Sequence, residues 1–236
     1  MILYYVRHGD PIYDPDSLTP LGHKQAEALS KRFALYGLDQ IYSSDSMRAQ
    51  QTAQPTCERL GKKMTLLPWA NEALAWQGFS VTNKNGGQSW SYQLEEYRMK
   101  FLSREVRNLG FEWYNHPDFP PQFKEGTLRV DKEVDNFMLS LGYKHDRENS
   151  CYESVGPHPE RVALFAHEGF GKIFLSSVMN IPYPIIATNF ELGHSSVTVI
   201  CFGDKGRVIP GLYQWSNDSH LYKEDLMTGY HNVIFL

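Results

Sequence analysis

Two short apolar segments, far apart in the chain, each end abruptly on polar residues that include a histidine. The first runs over 2–6 and stops on Arg7-His8-Gly9, and the second runs over 162–166 and stops on His167-Glu168-Gly169. A continuous apolar run without alternation is typical of a strand that is buried on both faces, as in the middle of a parallel sheet. The two segments therefore predict a mostly parallel central sheet that is covered by helices.

Caps and turns between these segments predict the elements that surround the sheet. A helix is expected to begin at Thr19-Pro20, an N-cap followed by a first-turn proline, and to end at Gly37. A short strand is expected over 40–43. A helix capped by Asp45 or Ser46 is expected to run to about residue 60, with Arg48 in its first turn. A loop is expected over 10–18 and a helix over 171–179, and a strand over 197–202 is expected to form a hairpin with 207–213.

Three side chains share one position relative to these strands. His8 and His167 lie just past two strands, and Arg48 begins the helix after a third. If the strands are neighbours, the carboxyl edge of the sheet brings both imidazoles together with Arg7 and Arg48. An Arg-His-Gly sequence on its own could merely cap a strand at the surface, and it is the later segments that favour a site.

A phosphate dianion suits such a site. Guanidinium groups pair with phosphate oxygens in a bidentate manner, and a helix amino end adds free N–H groups. Nearby positive charge disfavours imidazolium, so His8 is expected to be neutral. A neutral imidazole is a nucleophile, and the arginines could stabilise the phosphoryl oxygens in the transition state.

The middle of the chain has a different character, with tryptophans and tyrosines mixed with charges and interrupted by Gly86-Gly87 and the proline-rich segment 117–121. Helices are predicted over 90–107 and 128–142. We interpret 75–159 as an inserted cap within one domain over 1–236. The predicted fold is a three-layer α/β/α sandwich with a mostly parallel central sheet and an inserted, largely helical cap.

Composition excludes several classes of protein. The formal net charge of −4 gives no indication of a nucleic-acid or membrane partner. No apolar run approaches the length of a membrane span. The three cysteines are far apart and odd in number, which favours a reducing compartment, and a cytoplasmic location is expected. The oligomeric state stays open.

The motifs, taken in order, resemble the histidine phosphatase superfamily, in the branch that includes cofactor-dependent phosphoglycerate mutase. The resemblance covers most of 1–75 and 160–203 and does not extend to the insertion. The matching segments are Val6-Arg7-His8-Gly9, residues 18–26, residues 41–53, Asn71-Glu72 and residues 165–169.

The resemblance implies a role for each matching residue. His8 would attack phosphorus and carry the phosphoryl group, while Arg7, Arg48 and His167 would form the substrate's phosphate pocket, with His167 charged or donating a hydrogen bond. Glu72 would protonate the leaving oxygen. Glu168 is an alternative proton donor, because another branch of the superfamily places this acid directly after the second histidine. Neither a metal nor a cofactor is implied.

Asp10 departs from the Glu or Gln that many relatives have at this position. Tyr13 and Asp14 follow His8 in the chain and could touch substrate. His194 precedes a predicted strand and is interpreted as structural, although it could reach the edge of the pocket. The remaining histidines have no motif context and are interpreted as structural or surface residues: His23, His116, His145, His158, His220 and His231.

The predicted function is a metal-independent phosphomonoesterase that acts on a small phosphorylated metabolite through a phosphohistidine. The first alternative is phosphoryl transfer of the mutase type, which needs a basic pocket for a second phosphate; Lys84, Lys100 and Arg104 are scattered instead. The second is a non-catalytic phosphate-binding module, although a binder needs neither nucleophile nor acid. The substrate cannot be read from the sequence, and the aromatic insertion is at most compatible with a ring-bearing ester.

Overall fold

The computed structural model describes residues 1–229, and His231 lies outside these residues. The strands are β1 (Ile2–Arg7), β2 (Pro11–Tyr13), β3 (Asp16–Leu18), β4 (Gln40–Ser43), β5 (Met64–Leu66), β6 (Ser80–Thr82), β7 (Gln88–Trp90), β8 (Tyr143–Asp146), β9 (Cys151–Ser154), β10 (Arg161–Ala166), β11 (Val197–Cys201), β12 (Arg207–Val208) and β13 (Gly211–Asn217). The helices are α1 (Pro20–Tyr36), α2 (Met47–Leu60), α3 (Glu72–Phe79), α4 (Glu95–Phe101), α5 (Arg104–Leu109), α6 (Pro121–Ser140), α7 (Glu168–Met179), α8 (Tyr183–Asn189) and α9 (Ser219–Tyr222).

The central sheet has six strands in the order β13-β11-β1-β10-β4-β5. The four strands β1, β10, β4 and β5 are parallel, and β11 and β13 add an antiparallel edge. The strands β1, β10 and β4 are direct neighbours, as the convergence of His8, His167 and Arg48 requires. The predicted mostly parallel α/β/α fold is therefore confirmed.

Both faces of β1 are buried, which explains its unbroken apolar sequence. Leu3 and Tyr5 face the side of α7, where the Tyr5 ring stacks on Phe174 with centroids 5.3 Å apart. Tyr4 faces α1 on the other side and meets the edge of Phe33 at 5.3 Å. A strand in this position cannot alternate polar and apolar residues, because each polar group would be buried without a partner.

The predicted helix ends are largely observed. The Thr19 hydroxyl accepts a hydrogen bond from the Gly22 amide at 3.0 Å, and Gly37 ends α1 with a φ of 73°. Ser46 is the N-cap residue of α2, but its side chain makes no capping bond. The Ser46 hydroxyl instead lies 3.3 Å from Nε2 of His167. A cap position thus contributes its side chain to the site.

The insertion differs in detail from the prediction. The helix expected over 90–107 is divided into α4 and α5, because the Ser103 hydroxyl starts a new helix by accepting from the Val106 amide at 3.2 Å. The helix expected over 128–142 starts earlier, at Pro121. The insertion also contains the strand pairs β6–β7 and β8–β9. Its aromatic residues join the same apolar core as Leu3 and Tyr5. The division into one domain with a cap at about 75–159 stays a prediction.

Three local expectations need correction. The segment 10–18, expected to be a loop, contains the hairpin β2–β3. The hairpin expected after β11 is interrupted, because β12 pairs with β9 of the insertion and only β13 returns to β11. The helix expected at 171–179 begins at Glu168. No helix within residues 1–229 is long and apolar enough to cross a membrane.

Candidate active site

A cavity of about 820 Å³ opens at the carboxyl edge of the sheet, where β1, β10 and β4 end. Arg7 and His8 enter it from the end of β1, Arg48 from the first turn of α2, and Glu72 from the start of α3. His167, which follows β10, lies behind Glu72 and is fully buried. The elements therefore bring together all five residues that the sequence predicts for the site.

The ring of His8 is fixed by its own backbone. Nδ1 donates to the carbonyl oxygen of Gly9 at 2.7 Å, which leaves Nε2 unprotonated. Burial, followed by the nearby His167, Arg7 and Arg48, holds the pKa of His8 well below its usual value. The imidazole is therefore neutral and has a lone pair on Nε2.

Gly9 allows this turn of the chain because it packs directly against α1. A Cβ atom at residue 9 would lie 2.8 Å from the carbonyl oxygen of Gly22, and a Cβ atom at residue 22 would lie 2.2 Å from that of Asp10. Such distances are too short for a side chain. The two glycines thus let the loop after His8 pack closely against the amino end of α1.

Arg7 is held on three sides. Its guanidinium donates to the carbonyl oxygen of Leu192, forms a 2.8 Å ion pair with Glu168, and donates to Nε2 of His194 at 2.8 Å. Because a guanidinium only donates, Nε2 of His194 accepts, and its other ring nitrogen lies 3.4 Å from a carboxylate oxygen of Asp10. His194 therefore orients Arg7, which fits the structural interpretation of this histidine more closely than contact with substrate.

Arg48 is positioned by the hairpin β2–β3. Asp16 pairs with its guanidinium at 2.7 Å and also accepts from the Met47 amide at 2.7 Å. The Tyr13 ring lies under the guanidinium carbon at 5.4 Å. Tyr13 lines the cavity, whereas the exposed Asp14 does not.

His167 is buried between serines and a carboxylate. Its Nε2 lies 2.9 Å from the Ser44 hydroxyl, and its Nδ1 lies 3.3 Å from Oε2 of Glu72. The Tyr5 hydroxyl donates to its carbonyl oxygen at 2.5 Å. Burial, together with Arg48 and Arg7, lowers the pKa of His167 well below its usual value. The ring is therefore neutral, and it can act by donating a hydrogen bond.

Glu72 lies at the amino end of α3, where Asn71 caps the helix by accepting from the Ala73 amide. One carboxylate oxygen accepts from the Phe170 amide at 3.1 Å, and the other is 4.0 Å from Arg48. Burial raises the pKa of Glu72 to about 7, an effect larger than the opposing one of Arg48. The carboxyl can thus hold or release a proton near neutral pH.

Glu168, the alternative proton donor, has a different environment. It pairs with Arg7 at 2.8 Å and lies 3.7 Å from Nζ of the buried Lys172. Burial alone would raise the pKa of Glu168. The positive charge of Arg7, a hydrogen bond from Glu191, and Lys172 oppose this effect, and the pKa of Glu168 is lowered. The carboxylate is therefore ionised and engaged in ion pairs.

Sequence reasoning assigned no positioning role to several residues that orient the groups of the site. Asp16 and the serines at 44 and 46 hold Arg48 and His167, and Asp10 and His194 hold Arg7. The run Ser43-Ser44-Asp45-Ser46 at the end of a strand was a local signal for the serines. No signal near Arg7 indicated His194, because it lies 187 residues away in the chain.

The other histidines lie elsewhere. His23 is exposed on α1, His145 stacks on Tyr152, and His158 stacks on Tyr143. His116 lies 3.3 Å from a carboxylate oxygen of Glu105, and His220 lies 2.9 Å from the hydroxyl of Ser195. None of these five lines the cavity formed by the described residues.

A comparison with protein families finds a match in the first part of the chain. Residues 3–99 match the histidine phosphatase superfamily (branch 1). The match confirms the resemblance to this superfamily. The matched segment contains Arg7 and His8 at the end of β1, Arg48 in the first turn of α2, and Glu72. It thus contains four of the five predicted site residues. The prediction of an enzyme of the phosphatase class is confirmed with it.

Individual proteins are also similar to this chain. A protein of Hydrogenobacter thermophilus named "Putative phosphoserine phosphatase 2" is 29% identical over 153 residues, which cover 61% of this chain and 68% of that protein. Among solved structures, a phosphoserine phosphatase mutant of Entamoeba histolytica in complex with phosphoserine has a TM-score of 0.58 at 19% identity, covering 93% of this chain and 98% of the other.

Two further structures share the fold. A mycobacterial glucosyl-3-phosphoglycerate phosphatase has a TM-score of 0.57 at 19% identity and covers 91% of this chain and 98% of its own. The alpha-ribazole phosphatase of Shigella flexneri has a TM-score of 0.59 at 15% identity, and the similarity covers 92% of this chain and 97% of the other. At these identities the similarity establishes the fold.

Proposed function

We propose that this protein is a metal-independent phosphomonoesterase that acts on a small phosphorylated metabolite through a phosphohistidine at His8. The observation that carries the proposal is the fixed ring of His8. Its Nδ1 is occupied by the Gly9 carbonyl, so the lone pair on Nε2 belongs to a neutral, buried imidazole that lines a cavity between two guanidiniums.

In the first step, Nε2 of His8 attacks phosphorus and the bond from phosphorus to the ester oxygen breaks. Arg7 and Arg48 pair with the phosphoryl oxygens, and a hydrogen bond from Nδ1 of His167 adds to the stabilisation of their charge. Glu72 gives its proton to the leaving oxygen, which departs as an alcohol. The second step reverses these roles: Glu72 takes a proton from water, water attacks phosphorus, and the bond to Nε2 breaks.

Glu72 is the proton donor of this proposal rather than Glu168. A pKa raised to about 7 keeps a useful fraction of Glu72 protonated near neutral pH. Glu168 is ionised and paired with Arg7 at 2.8 Å. Its role is to orient Arg7, as that of Asp16 is to orient Arg48 at 2.7 Å.

Names of the similar proteins support a small phosphorylated substrate. They include phosphoserine, glucosyl-3-phosphoglycerate and alpha-ribazole phosphatases. The mutase alternative needs a second basic pocket. Among the described residues only Arg7 and Arg48 bring a lysine or arginine side chain to the cavity, and Lys84, Lys100 and Arg104 do not line it.

Independence from metals is part of the proposal. Among the described residues, ligand atoms of His8, Glu72 and His167 lie within 4.8 Å of one another, which is compatible in distance with a metal ion. Arg7 and Arg48 flank the same position, and two fixed positive charges disfavour a cation there. We therefore expect phosphate to occupy it.

A location in the cytoplasm is also part of the proposal. The free cysteines Cys57, Cys151 and Cys201 form no disulfide within the part of the chain that the structure describes. Thiols that stay unpaired are typical of proteins in a reducing compartment.

Turnover of an aryl phosphate in the presence of a chelator tests the proposal. We expect hydrolysis to continue with excess EDTA and to fall to the uncatalysed rate in His8→Ala. The matched control is His23→Ala, which removes an exposed histidine and should leave turnover unchanged. Loss of activity with EDTA and its restoration by a divalent metal would overturn metal independence. Activity that survives His8→Ala would overturn the mechanism. Isomerisation of a phosphoglycerate without release of phosphate would favour the mutase.

A further inference from the structure

One wall of the cavity is aromatic and starts directly beside the proton donor. Gly169 makes this possible, because a Cβ atom there would lie 2.4 Å from the Trp90 ring and 2.6 Å from Oε1 of Glu72. The six-membered ring of Trp90 therefore lies against the same backbone as the Glu72 carboxyl. A group attached to the oxygen that Glu72 protonates would therefore lie close to this ring.

The wall continues with two more rings in fixed orientations. Trp76 stands at 89° to Trp90 with centroids 5.0 Å apart, and Tyr92 stacks on Trp90 at 5.5 Å. Tyr92 is buried, and Nζ of Lys172 lies 4.5 Å from the centre of its ring. All three rings line the cavity. Trp76 lies on α3, Trp90 ends β7 and Tyr92 lies in the turn that follows it, so the wall is built into the fold.

The charged residues that line the cavity are also unevenly distributed. Among the described residues that line it, the only lysine or arginine side chains are Arg7 and Arg48, and both are at the phosphate position. The other charged lining residues are Asp16, Asp45, Glu72 and Glu168, all of which are acidic. A carboxylate on the alcohol part of a substrate would thus meet acidic groups and apolar rings, with no additional cation to pair with.

We propose that the preferred substrates are phosphate monoesters of alcohols that carry a ring and no negative charge. The inference rests on the phosphatase function proposed above and specifies its substrate class. It separates this chain from enzymes for phosphoserine or phosphoglycerate, whose substrates carry a carboxylate. The ring would pack on Trp76 and Trp90, and its alcohol oxygen would lie beside Glu72.

Four alkyl esters test this preference without a change of leaving-group class. We expect kcat/KM for 2-phenylethyl phosphate to exceed that for O-phosphoserine and for 3-phosphoglycerate by at least about tenfold, the order expected for one stacked ring. Glycerol 1-phosphate, whose alcohol part is uncharged but has no ring, should fall between them. A higher kcat/KM for either carboxylate ester would overturn the inference while leaving the phosphatase proposal intact. Failure to hydrolyse any of the four while aryl phosphate turnover is retained would overturn the inference alone, and loss of aryl phosphate turnover as well would overturn both.

Variants separate the contributions of ring and charge. Trp76→Ala should lower kcat/KM for 2-phenylethyl phosphate by about tenfold and change that for O-phosphoserine little. The exposed Tyr213 lies outside the cavity, and Tyr213→Ala is the matched control. Gln93→Lys adds a cation to the lining and should raise kcat/KM for O-phosphoserine selectively. Equal effects of Trp76→Ala on both esters would contradict the assignment of this wall to the alcohol group.

Discussion

At the scale of single residues, two neighbouring glutamates differ in role because of their partners. Glu72 has a pKa raised to about 7, mainly by burial, whereas Glu168 is paired with Arg7 at 2.8 Å. We expect Glu72→Gln to lower kcat for an alkyl phosphate by about 10²-fold or more and for a nitrophenyl phosphate far less, since a good leaving group needs no proton. Glu168→Gln should lower both rates by similar factors, because it disturbs Arg7. The reverse pattern would assign the proton donor to Glu168.

The pH dependence follows from the same residue. Glu72 must be protonated to act as an acid, so kcat/KM for an alkyl ester should fall as the pH rises through about 7. His8 stays neutral over this range, because its pKa lies well below the usual value. Steady-state kinetics between pH 5 and 9 measure the profile, and Glu72→Gln should lack the fall near pH 7. A fall that persists in this variant would contradict the assignment.

At the scale of elements, the crossing of α3 and α6 fixes the position of Glu72. A Cβ atom on Gly126 of α6 would lie 3.1 Å from Cα of Gly78 on α3. Gly126→Val should therefore push the helices apart, lower the free energy of unfolding by about 1–3 kcal/mol, and displace Glu72. We expect hydrolysis of alkyl phosphates to suffer more than that of nitrophenyl phosphate. Denaturant titration and kinetics of both esters measure this, with Gly156→Ala as a control for the insertion, because Gly156 is exposed and a Cβ atom there would meet nothing within 4 Å. Equal losses of activity on both esters would argue against a role of this helix crossing in positioning Glu72.

At the scale of the whole molecule, the insertion and the sheet share one apolar core. The cluster that contains Leu3 and Tyr5 of β1 extends to Phe123 of α6 and Trp113. We therefore expect one cooperative unfolding transition, with loss of activity and of far-UV circular dichroism at the same midpoint. Phe123→Ala should lower the free energy of unfolding by about 3–5 kcal/mol and move both signals together. An insertion that melts separately from the sheet would contradict a shared core.

The sequence predicts those parts of the structure in which the position of a residue in the fold determines the local sequence pattern. The strands β1 and β10 are buried on both faces, so their sequences show it, and Thr19 and Gly37 mark the ends of α1 through local capping. The division between α4 and α5 depends on one hydroxyl, that of Ser103, within an otherwise helical pattern. The early start of α6 had a signal in Pro121, a residue that favours a first helical turn.

The residues of the candidate site also form two groups, one that the local sequence predicts and one that it does not. His8, Arg48 and His167 follow strands directly, so their positions relative to the sheet could be inferred from sequence. The residues that orient them come from other parts of the chain: Asp16 from a hairpin that was expected to be a loop, and His194 from a segment 187 residues after Arg7. Such pairings depend on tertiary contacts, and a single sequence carries no local record of them.

The central claim is that His8 carries the phosphoryl group, and chemical trapping of that intermediate tests it most directly. The enzyme is mixed with a slowly released ester, quenched in base, digested and analysed by mass spectrometry. We predict one phosphate on the peptide that contains His8, stable in base and lost in acid, and its absence in His8→Ala but not in His23→Ala. Steady turnover with no phosphate on His8, or with phosphate on another residue, would contradict the account.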